Sequence, residues 1–345
     1  MSRNRAAWLT GAKVRPFLID DAPFPEAGPG EVVIRNVVTA LNPAEWKIQD
    51  LGIIVTKYLT ILGADAAGYV EQVGQGVTHL KPGQRAIAYC TGLGRQDPAF
   101  GTFQLYSKAD ANLTSVVPDG MSLEEAAVLP LAMATASVGL FKRKYLGLPL
   151  PRADLKSQTE ERGERKTLLV WGGSSSVGGT AVQLASAAGL RVVATASRGN
   201  FERVKELGAE VIVDYRDGEV VRQVLDAVGG DVVGVYDAVS TEASLKPIGE
   251  VLEKIGERKV VTMLPNENKF GRNAVLEFAA AFEITEDPAE VGDPVWGDFV
   301  PKALERGRLL ARPEPVVVGT GLEAVQGGLD RLKEGVSARR LVVRY

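Results

Sequence analysis

The residues best suited to binding an anionic ligand form a glycine- and serine-rich turn at positions 172–178. The turn has the sequence Gly-Gly-Ser-Ser-Ser-Val-Gly and follows a short apolar strand predicted at 168–171. An amphipathic segment at 180–188 predicts a helix that ends at Gly189. Glycines let the backbone approach a phosphate closely, and a helix N-terminus offers unpaired N–H groups. The turn therefore predicts a dinucleotide site, although serines replace glycines of the usual G-x-G-x-x-G pattern; an ordinary strand-to-helix turn is the alternative.

The end of the next predicted strand, at 190–196, bears on which dinucleotide is bound. An acid about 20 residues after the glycines would bind the ribose 2′-hydroxyl of NAD. The chain has Ser197, Arg198, Gly199 and Asn200 there, with no acid. A serine and a guanidinium suit a 2′-phosphate. The segment therefore predicts NADPH; the alternative is that Arg198 is solvated and only Ser197 contributes.

Two kinds of element must position these residues. Short strands separated by Gly/Pro turns, at 32–40, 68–73 and 85–89, are typical of a partly open β-barrel. From residue 167 onward, strands alternate with helices, which predicts a doubly wound parallel sheet and an α/β fold. The predicted strands of this second part are 168–171, 190–196, 211–213, 232–238 and 259–264. A final strand at 339–344 is expected to return to the first domain.

These patterns predict two domains. The first comprises 1–135 and 305–345, and the second comprises 136–304 with a polar surface loop inserted at 147–166. A chain of 345 residues is long enough for two separate cores.

Composition narrows the partners and the compartment. A net charge of −3 gives no electrostatic reason to expect nucleic acid or an anionic membrane as partner. Cys90 is the only cysteine, so an intramolecular disulfide is impossible and a reducing compartment fits. The N-terminus has no apolar signal region, and no run approaches the ~18 apolar residues that span a bilayer. We expect a cytoplasmic protein.

Four segments together resemble a known family. The segment 42–47, Asn-Pro-Ala-Glu-Trp-Lys, resembles N-P-x-D-x-K, and 63–68, Gly-Ala-Asp-Ala-Ala-Gly, resembles G-x-D-x-x-G. The turn at 172–178 and the segment 197–201 are similar to those of fungal reductases. Nearly the whole chain thus resembles the zinc-free medium-chain dehydrogenases/reductases, in the branch of the quinone reductases and the fungal trans-acting enoyl reductases. The resemblance implies a GroES-like β-barrel domain and a Rossmann-type domain.

The same resemblance implies that no metal is bound. Zinc alcohol dehydrogenases have a cysteine near position 45 and a G-H-E motif near position 63. This chain has Ala44-Glu45 and Ala64-Asp65 in those places. One histidine, His79, and one cysteine cannot supply a tetrahedral zinc site of the usual ligand types.

The resemblance also implies the site residues. Lys47 is implied to lie beside the nicotinamide, where its ammonium would bind cofactor, stabilise an enolate or relay a proton; the alternative is a surface lysine on a short helix. Thr135 is implied to touch the nicotinamide or the substrate; the alternative is a structural role inside a helix. The implied cofactor contacts, with Lys47, are Ala44, Glu45, Trp46, Ser174, Ser175, Ser176, Val177, Ser197, Arg198, Gly199, Asn200, Tyr215, Met263, Leu264, Val336 and Ser337. The implied substrate-lining residues are Ala279, Ala280, Ala281, Phe282, Glu283 and Ile284, among which Glu283 is unusual for an apolar pocket.

Three functions remain open at this point. The first is NADPH-dependent reduction of the activated C=C bond of an α,β-unsaturated carbonyl, on a small or carrier-bound enoyl substrate. The second is a quinone or general enone reductase acting on small free molecules, and the third is a nucleotide-binding protein without turnover. A basic cluster at Lys142, Arg143 and Lys144 favours carrier docking, unless it is simply a solvated helix end. We expect a monomer or a homodimer.

Overall fold

A computed structural model describes residues 3–154, 165–266 and 270–345 of the chain. The chain divides into two compact units. The first comprises Met1–Leu131, Trp296–Gly307 and Ala311–Tyr345, and the second comprises Ala132–Val295 and Arg308–Leu310. The sequence predicted domain boundaries at 135/136 and 304/305. Half of the predicted surface loop at 147–166, residues 155–164, lies outside the described residues.

The described residues form strands and helices throughout both units. The strands are β1 (Asn4–Leu9), β2 (Leu18–Ala22), β3 (Glu31–Ala40), β4 (Thr60–Ile61), β5 (Asp65–Val73), β6 (Arg85–Tyr89), β7 (Tyr106–Asp110), β8 (Thr114–Val116), β9 (Thr167–Trp171), β10 (Arg191–Ala196), β11 (Val211–Asp214), β12 (Val232–Asp237), β13 (Arg258–Thr262), β14 (Ala274–Phe278), β15 (Pro315–Thr320) and β16 (Arg340–Arg344). The α-helices are α1 (Pro43–Leu51), α2 (Gly92–Arg95), α3 (Leu123–Ala126), α4 (Pro130–Phe141), α5 (Ser176–Ala187), α6 (Phe201–Glu206), α7 (Val220–Val228), α8 (Glu242–Ile255), α9 (Val300–Glu305) and α10 (Ala324–Glu334).

A seven-stranded sheet organises the first unit. Its order is β15-β16-β3-β5-β6-β8, with β7 also paired to β3, and a smaller sheet has the order β2-β1-β4. β3 is rich in Val and Ile, whose branched side chains suit a pleated, buried surface. Val32 and Ile34 pack with Ala66, Val70 and Ala86 in a buried core. The predicted strands at 32–40, 68–73 and 85–89 are confirmed as β3, β5 and β6, and β16 pairs antiparallel with β3.

The second unit is built on a parallel sheet with the order β11-β10-β9-β12-β13-β14. Every neighbouring pair is parallel. Because the order runs outward in both directions from β9, the sheet is doubly wound, as predicted. Its strands are apolar since both faces are covered: Leu169, Val193, Val235 and Val260 are fully buried. β14 was not among the predicted strands.

The helix after the glycine-rich turn begins earlier than predicted. The sequence predicts a start at residue 180, whereas α5 starts at Ser176. Ser175 is the N-cap residue, and its hydroxyl accepts a hydrogen bond from the Gly178 N–H at 3.0 Å. Glycine and serine have low helix propensity, so this first turn looks like loop in the sequence. The helix N-terminus consequently lies among the predicted phosphate contacts at 174–177.

The segment Leu123–Phe141, which contains α3 and α4, corrects the statement that no apolar run approaches membrane-spanning length. It has 19 residues and is long and apolar enough to cross a bilayer by those two criteria. Its most apolar 18-residue stretch is, however, 83% buried inside the protein. This degree of burial is that of a core helix.

Gly178→Ala should destabilise the second unit. A Cβ at this position would lie 2.2 Å from the carbonyl oxygen of Gly172, so the turn would have to open. We expect a loss of about 1–3 kcal/mol in urea unfolding. The matched control is Gly327→Ala in α10, where no heavy atom lies within 4 Å of the added Cβ. That variant should be neutral or gain about 0.5–1 kcal/mol, and equal losses in both variants would contradict the argument.

Candidate functional site

The carboxyl ends of β9, β10 and β11 bring many of the predicted nucleotide contacts to one edge of the parallel sheet. β9 leads into 174–177, β10 leads into 197–200, and β11 ends immediately before Tyr215. Ala196 lies opposite Asp214 in the β10–β11 register, so the loops that follow these two strands are neighbours. In open α/β sheets ligands bind at this edge, where the strand order reverses. Here the reversal falls between β9 and β12.

The turn after β9 is held against β10 by two hydrogen bonds to one residue. The Gly172 N–H donates to the Thr195 hydroxyl at 3.1 Å, and the Gly173 N–H donates to the Thr195 carbonyl at 2.9 Å. Gly172 has φ +84°, a conformation that favours glycine. The Ser176 hydroxyl oxygen, in the first turn of α5, is buried and pairs with no described residue. A buried, unsatisfied donor at a helix N-terminus fits a phosphate group.

The turn after β10 orients Ser197 as a donor. The Asn200 side-chain amide donates to the Ser197 hydroxyl oxygen at 3.0 Å, and Arg203 donates to the Asn200 amide oxygen at 3.1 Å. Because the Ser197 oxygen accepts this bond, its own proton can be donated to another acceptor. A Cβ at Gly199 would meet open space. The segment 197–200 therefore presents a hydroxyl donor on an unobstructed turn.

Arg198 is exposed and forms ion pairs with two acids of the next strand and loop. Its side chain is 77% exposed, and its Nε lies 3.2 Å from Asp214 Oδ2. Its Nη2 lies 3.5 Å from Asp217 Oδ2. Neither acid follows β10 in the sequence, where an acid that binds the ribose would be expected, so neither was predicted as a site residue. The signal was available, since parallel pairing places the end of β11 beside the end of β10.

Tyr215 follows β11 and leaves its ring accessible. Its side chain is exposed, and the guanidinium carbon of Arg216 lies 5.4 Å from the ring centroid. An accessible aromatic ring with a cation beside it suits contact with an adenine base. Arg216 was not predicted as a site residue. The adenosine contact of Tyr215 stays a prediction.

Tyr236, on β12, links two further predicted residues. Its hydroxyl lies 3.2 Å from the Thr135 carbonyl oxygen and 3.2 Å from the Met263 sulfur. The Met263 N–H donates to the Ser240 hydroxyl at 2.7 Å, and the Leu264 carbonyl accepts from Thr262 at 2.9 Å. These backbone groups already have partners within the second unit. The predicted contact of Met263 and Leu264 with a carboxamide therefore has to use other groups of these residues or replace these bonds.

The predicted substrate-lining stretch 279–284 is largely buried. Only Ala281 and Phe282 are accessible, whereas Ala279, Ala280, Glu283 and Ile284 are covered. Glu283 accepts a hydrogen bond from the Tyr145 hydroxyl at 2.7 Å and an ion pair from Lys144 at 3.1 Å. Although burial acts to raise it, these two partners hold the pKa of Glu283 below its ordinary value. Its side chain anchors this stretch to the residues after α4, which argues against substrate contact.

The same contacts change the interpretation of the basic cluster 142–144. The Lys142 ammonium is buried and pairs with Glu286 at 2.7 Å. Lys144 pairs with Glu283. Of Arg143, it is the backbone N–H that donates to Glu290, at 2.8 Å. Two of the three cations therefore have carboxylate partners. The cluster is a region of mixed charge, which weakens it as a surface for an acidic carrier.

In the first unit, Lys47 lies in α1. The helix begins with Pro43 after the N-cap Asn42. It ends at Leu51 and is followed by the C-cap Gly52, whose φ of +68° is left-handed. The Lys47 side chain is half-buried, and its nitrogen lies 5.7 Å from the centroid of the Trp46 ring. The nitrogen of Lys333, in α10, lies at the same distance from that ring. No ion pair joins Lys47 to any described residue.

A buried polar network, here called the Asp65 cluster, holds the start of α1. It consists of Asn42, Glu45, Asp65 and Arg340, all buried. Arg340 pairs with Asp65 at 2.9 Å and donates to the Asn42 amide oxygen. The Asn42 amide donates to Asp65 at 2.7 Å and to Glu45 at 2.9 Å. The cluster thus joins α1, β5 and β16, which lie far apart in sequence.

Glu45 carries the strongest electrostatic anomaly of the cluster. Burial raises its pKa to about 8, against the opposing effect of two hydrogen bonds from Asn42. Burial also raises the pKa of Asp65, but Asp65 contacts the Arg340 guanidinium directly, so we assign the proton to Glu45. The Glu45 side chain is enclosed. This placement argues against the implied cofactor contact of the Glu45 side chain, whereas Ala44 is exposed and Trp46 is partly exposed.

Val336 and Ser337 lie in the loop between α10 and β16. Both are exposed. Ala338 follows with a left-handed φ of +46°, which turns the chain into β16. Arg340 then enters the Asp65 cluster and anchors this loop. Their cofactor contact stays a prediction.

Neither His79 nor Cys90 lies in a metal-binding arrangement. His79 is exposed, and its Nε2 lies 3.0 Å from the Ala111 carbonyl oxygen. Cys90 is buried, and burial raises its pKa well above the ordinary value. Among residues 3–154, 165–266 and 270–345, no group of three or more His, Cys, Asp or Glu side chains is arranged to hold a metal ion. Absence of a resident metal stays a prediction.

Residues 28–119 match the family described as alcohol dehydrogenase GroES-like domain, and residues 176–281 match the family described as zinc-binding dehydrogenase. The chain is 38% identical to dehydrogenase orsE of Emericella nidulans, over 99% of each chain. It is 37% identical to trans-enoyl reductase himH of Aspergillus japonicus, over 99% of this chain and 97% of the relative. A mycobacterial protein solved in complex with NADPH has a TM-score of 0.70 at 22% identity, over 100% of both chains.

The chain therefore belongs to the medium-chain dehydrogenase/reductase family, in the branch of the quinone reductases and fungal trans-acting enoyl reductases. The predicted family and the predicted combination of GroES-like and Rossmann-type folds are confirmed. Membership makes the protein an oxidoreductase with a nicotinamide cofactor. The phosphate turn, with its cradle of glycines and the unsatisfied Ser176 hydroxyl, fits that cofactor.

Glu45→Gln should flatten part of the pH dependence of stability. A carboxyl whose pKa is raised from 4.5 to about 8 on folding is most favourable while protonated. Its contribution to the free energy of unfolding is complete below the unfolded pKa of 4.5. As pH rises from there to about 8, this contribution is lost by roughly 1.4 kcal/mol per pH unit. Urea unfolding at pH 5, 6, 7 and 8 measures the slope.

The glutamine variant should lose this part of the slope whatever its absolute stability, because glutamine does not titrate. The matched control is Glu26→Gln, an exposed residue of the same unit, which should keep the wild-type slope. Parallel slopes for wild type and Glu45→Gln would show that Glu45 is ionised in the folded protein.

Proposed function

We propose that this chain is an NADPH-dependent reductase of the activated C=C bond of an α,β-unsaturated carbonyl compound. The observation that carries the proposal is the end of β10, where the Ser197 hydroxyl can donate and the Arg198 guanidinium is exposed. Both groups suit a 2′-phosphate. The choice of an enoyl substrate is supported by the similarity to the trans-enoyl reductase of A. japonicus.

Each part of the cofactor has a candidate partner in the second unit. The N-terminus of α5 and the Ser176 hydroxyl would bind the pyrophosphate, because both offer unsatisfied donors. Ser197 and Arg198 would bind the 2′-phosphate, and the exposed ring of Tyr215 would contact the adenine. Bound NADPH would supply the reducing equivalents.

The reduction itself requires stabilisation of negative charge. Addition at the β-carbon of an enoyl compound moves negative charge onto the carbonyl oxygen, and a fixed donor or cation lowers the barrier. We assign this role to Lys47. Its ammonium forms no ion pair with the described residues, so no carboxylate among them neutralises it. The contacts with Trp46 and the capped start of α1 would hold the side chain in place.

A small free enone or quinone is the second candidate substrate, and one observation favours it. A carrier protein is acidic and would require a basic docking surface. Lys142 and Lys144, the cations expected to provide one, are already paired with Glu286 and Glu283. Measuring NADPH oxidation with crotonyl thioesters, enones and quinones separates the candidates. Oxidation with none of them would favour a nucleotide-binding protein without turnover.

The cofactor preference should be measurable directly. NADPH should bind at least about ten times more tightly than NADH, a difference of about 1.4 kcal/mol, because only NADPH carries the 2′-phosphate. Arg198→Ala should narrow the difference. Fluorescence titration with each cofactor tests both statements, and equal dissociation constants for the wild-type protein would refute the assignment.

Lys47→Ala should slow reduction more than it weakens NADPH binding. If the ammonium stabilises the developing oxyanion, its loss should cost on the order of 2.7–4 kcal/mol in the barrier. Stopped-flow oxidation of bound NADPH gives the rate, and fluorescence titration gives the affinity. A weaker affinity with a normal single-turnover rate would instead assign Lys47 to cofactor binding.

Lys333→Ala is the matched control for this measurement. Its ammonium lies at the same distance from the Trp46 ring as that of Lys47, so the variant removes an equivalent ring contact. It should leave the chemical rate near normal. Equal slowing in the two variants would mean that Trp46 packing, and not charge stabilisation, accounts for the effect.

Cytoplasmic location and a monomeric or homodimeric state remain predictions, as does metal independence. The last is tested by exhaustive chelation, which should leave NADPH-dependent activity unchanged.

A further inference from the structure

The cation expected to recognise the 2′-phosphate is already bound within the protein. Two of the three guanidinium nitrogens of Arg198 face carboxylates, Nε toward Asp214 at 3.2 Å and Nη2 toward Asp217 at 3.5 Å. These two carboxylates are here called the acidic pair. The exposed guanidinium therefore does not present an unopposed positive charge to a ligand.

Both acids are fixed independently of Arg198. The Arg216 N–H donates to Asp214 Oδ1 at 3.0 Å, and the Glu219 N–H donates to Asp217 Oδ1 at 2.9 Å. That backbone hydrogen bond and one from the Gln223 side chain hold the pKa of Asp217 below its ordinary value, so it is ionised at neutral pH. The Asp214 side chain is only 13% exposed. The acidic pair is thus held in place by the chain, whereas the Arg198 side chain is exposed at the surface.

We propose that Asp214 and Asp217 limit the preference for NADPH over NADH. They hold Arg198 in internal ion pairs, and a 2′-phosphate must displace these carboxylates before it can bind the guanidinium. The proposal rests on the proposed function, since it concerns the same phosphate. A phosphate monoester carries about 1.5–2 negative charges and forms charge-assisted hydrogen bonds, so it competes well for an exposed guanidinium. It gains this contact only by breaking the ion pairs of Arg198 with the two carboxylates. The acidic pair therefore lowers the affinity for NADPH and narrows its advantage over NADH.

Fragments of the cofactor test this without any reaction. Adenosine 2′,5′-bisphosphate carries the 2′-phosphate, adenosine 5′-monophosphate lacks it, and both lack the nicotinamide. Binding of each to the full-length protein is measured by isothermal titration calorimetry for wild type, Asp217→Asn, Asp214→Asn, Arg198→Ala and the double variant Arg198→Ala/Asp217→Asn. The matched control is Glu219→Gln. Glu219 lies two residues after Asp217 and carries the same charge, but its carboxylate pairs with Arg222 at 3.0 Å.

The expected result is specific to the 2′-phosphate. Removing either carboxylate should tighten binding of the bisphosphate by up to about fivefold and leave the monophosphate unchanged. Glu219→Gln should have a smaller effect. In the Arg198→Ala background, Asp217→Asn should give no such gain, because no guanidinium remains to be released. Asparagine can still accept the Glu219 N–H bond, so Asp217→Asn keeps the local fold even if Asp214→Asn does not.

Other outcomes overturn the proposal in distinguishable ways. Equal gains in Asp217→Asn and Glu219→Gln, or a gain that persists without Arg198, would mean that general charge repulsion replaces the ion pair as the cause. If wild type prefers the bisphosphate and Arg198→Ala abolishes the preference, but Asp217→Asn changes nothing, only the present proposal fails. If wild type binds both nucleotides equally and Arg198→Ala has no effect, the assignment to NADPH fails as well.

Discussion

The nucleotide side of this protein depends on how Thr195 joins two neighbouring strands. Thr195 is fully buried in β10, and its hydroxyl and carbonyl oxygens accept the N–H groups of Gly172 and Gly173 in the turn after β9. The segment with Ser197 and Arg198 begins two residues after Thr195, just beyond the end of β10. One residue therefore fixes the turn after β9 relative to the segment 197–200.

In the first unit, the Asp65 cluster holds the start of α1 in a fixed place. The Asp65 cluster uses a buried ion pair, and such pairs contribute little net stability because both charges lose their hydration. What the pair does provide is orientation, since a planar guanidinium contacts Asn42 and Asp65 at once. The loop that carries Val336 and Ser337 and the helix that carries Lys47 are thereby tied to one buried point.

The sequence predicted the repeating parts of this structure well, because local patterns determine them. Apolar strands bounded by glycine and proline identified β3, β5, β6 and the first five strands of the parallel sheet. The start of α5 was misplaced, since a first turn made of serine and glycine has no helix-favouring residues apart from its cap. β14 was missed because it follows β13 without a long connection that would mark a new strand-helix unit.

Side-chain environment was harder to predict than fold, and the reason is the same in each case. Glu283 was expected near the substrate and instead binds Tyr145 and Lys144, more than a hundred positions earlier in the chain. Arg198 was expected to be an available cation and pairs with Asp214. Sequence identifies which residues carry charge, but the partner of each charge is chosen by tertiary contacts.

Exposure then decides what each ion pair does. The Arg340 side chain is 7% exposed, so its pair with Asp65 cannot exchange with a ligand and serves the fold. The Arg198 side chain is 77% exposed, where an ion pair contributes about 0.2–1 kcal/mol and is readily exchanged. The same chemical contact is therefore permanent in one unit and replaceable in the other. In the proposed nucleotide site, a replaceable pair would make cofactor specificity a competition between the internal carboxylates and an incoming 2′-phosphate, and the exposure of Arg198 is what would permit that exchange.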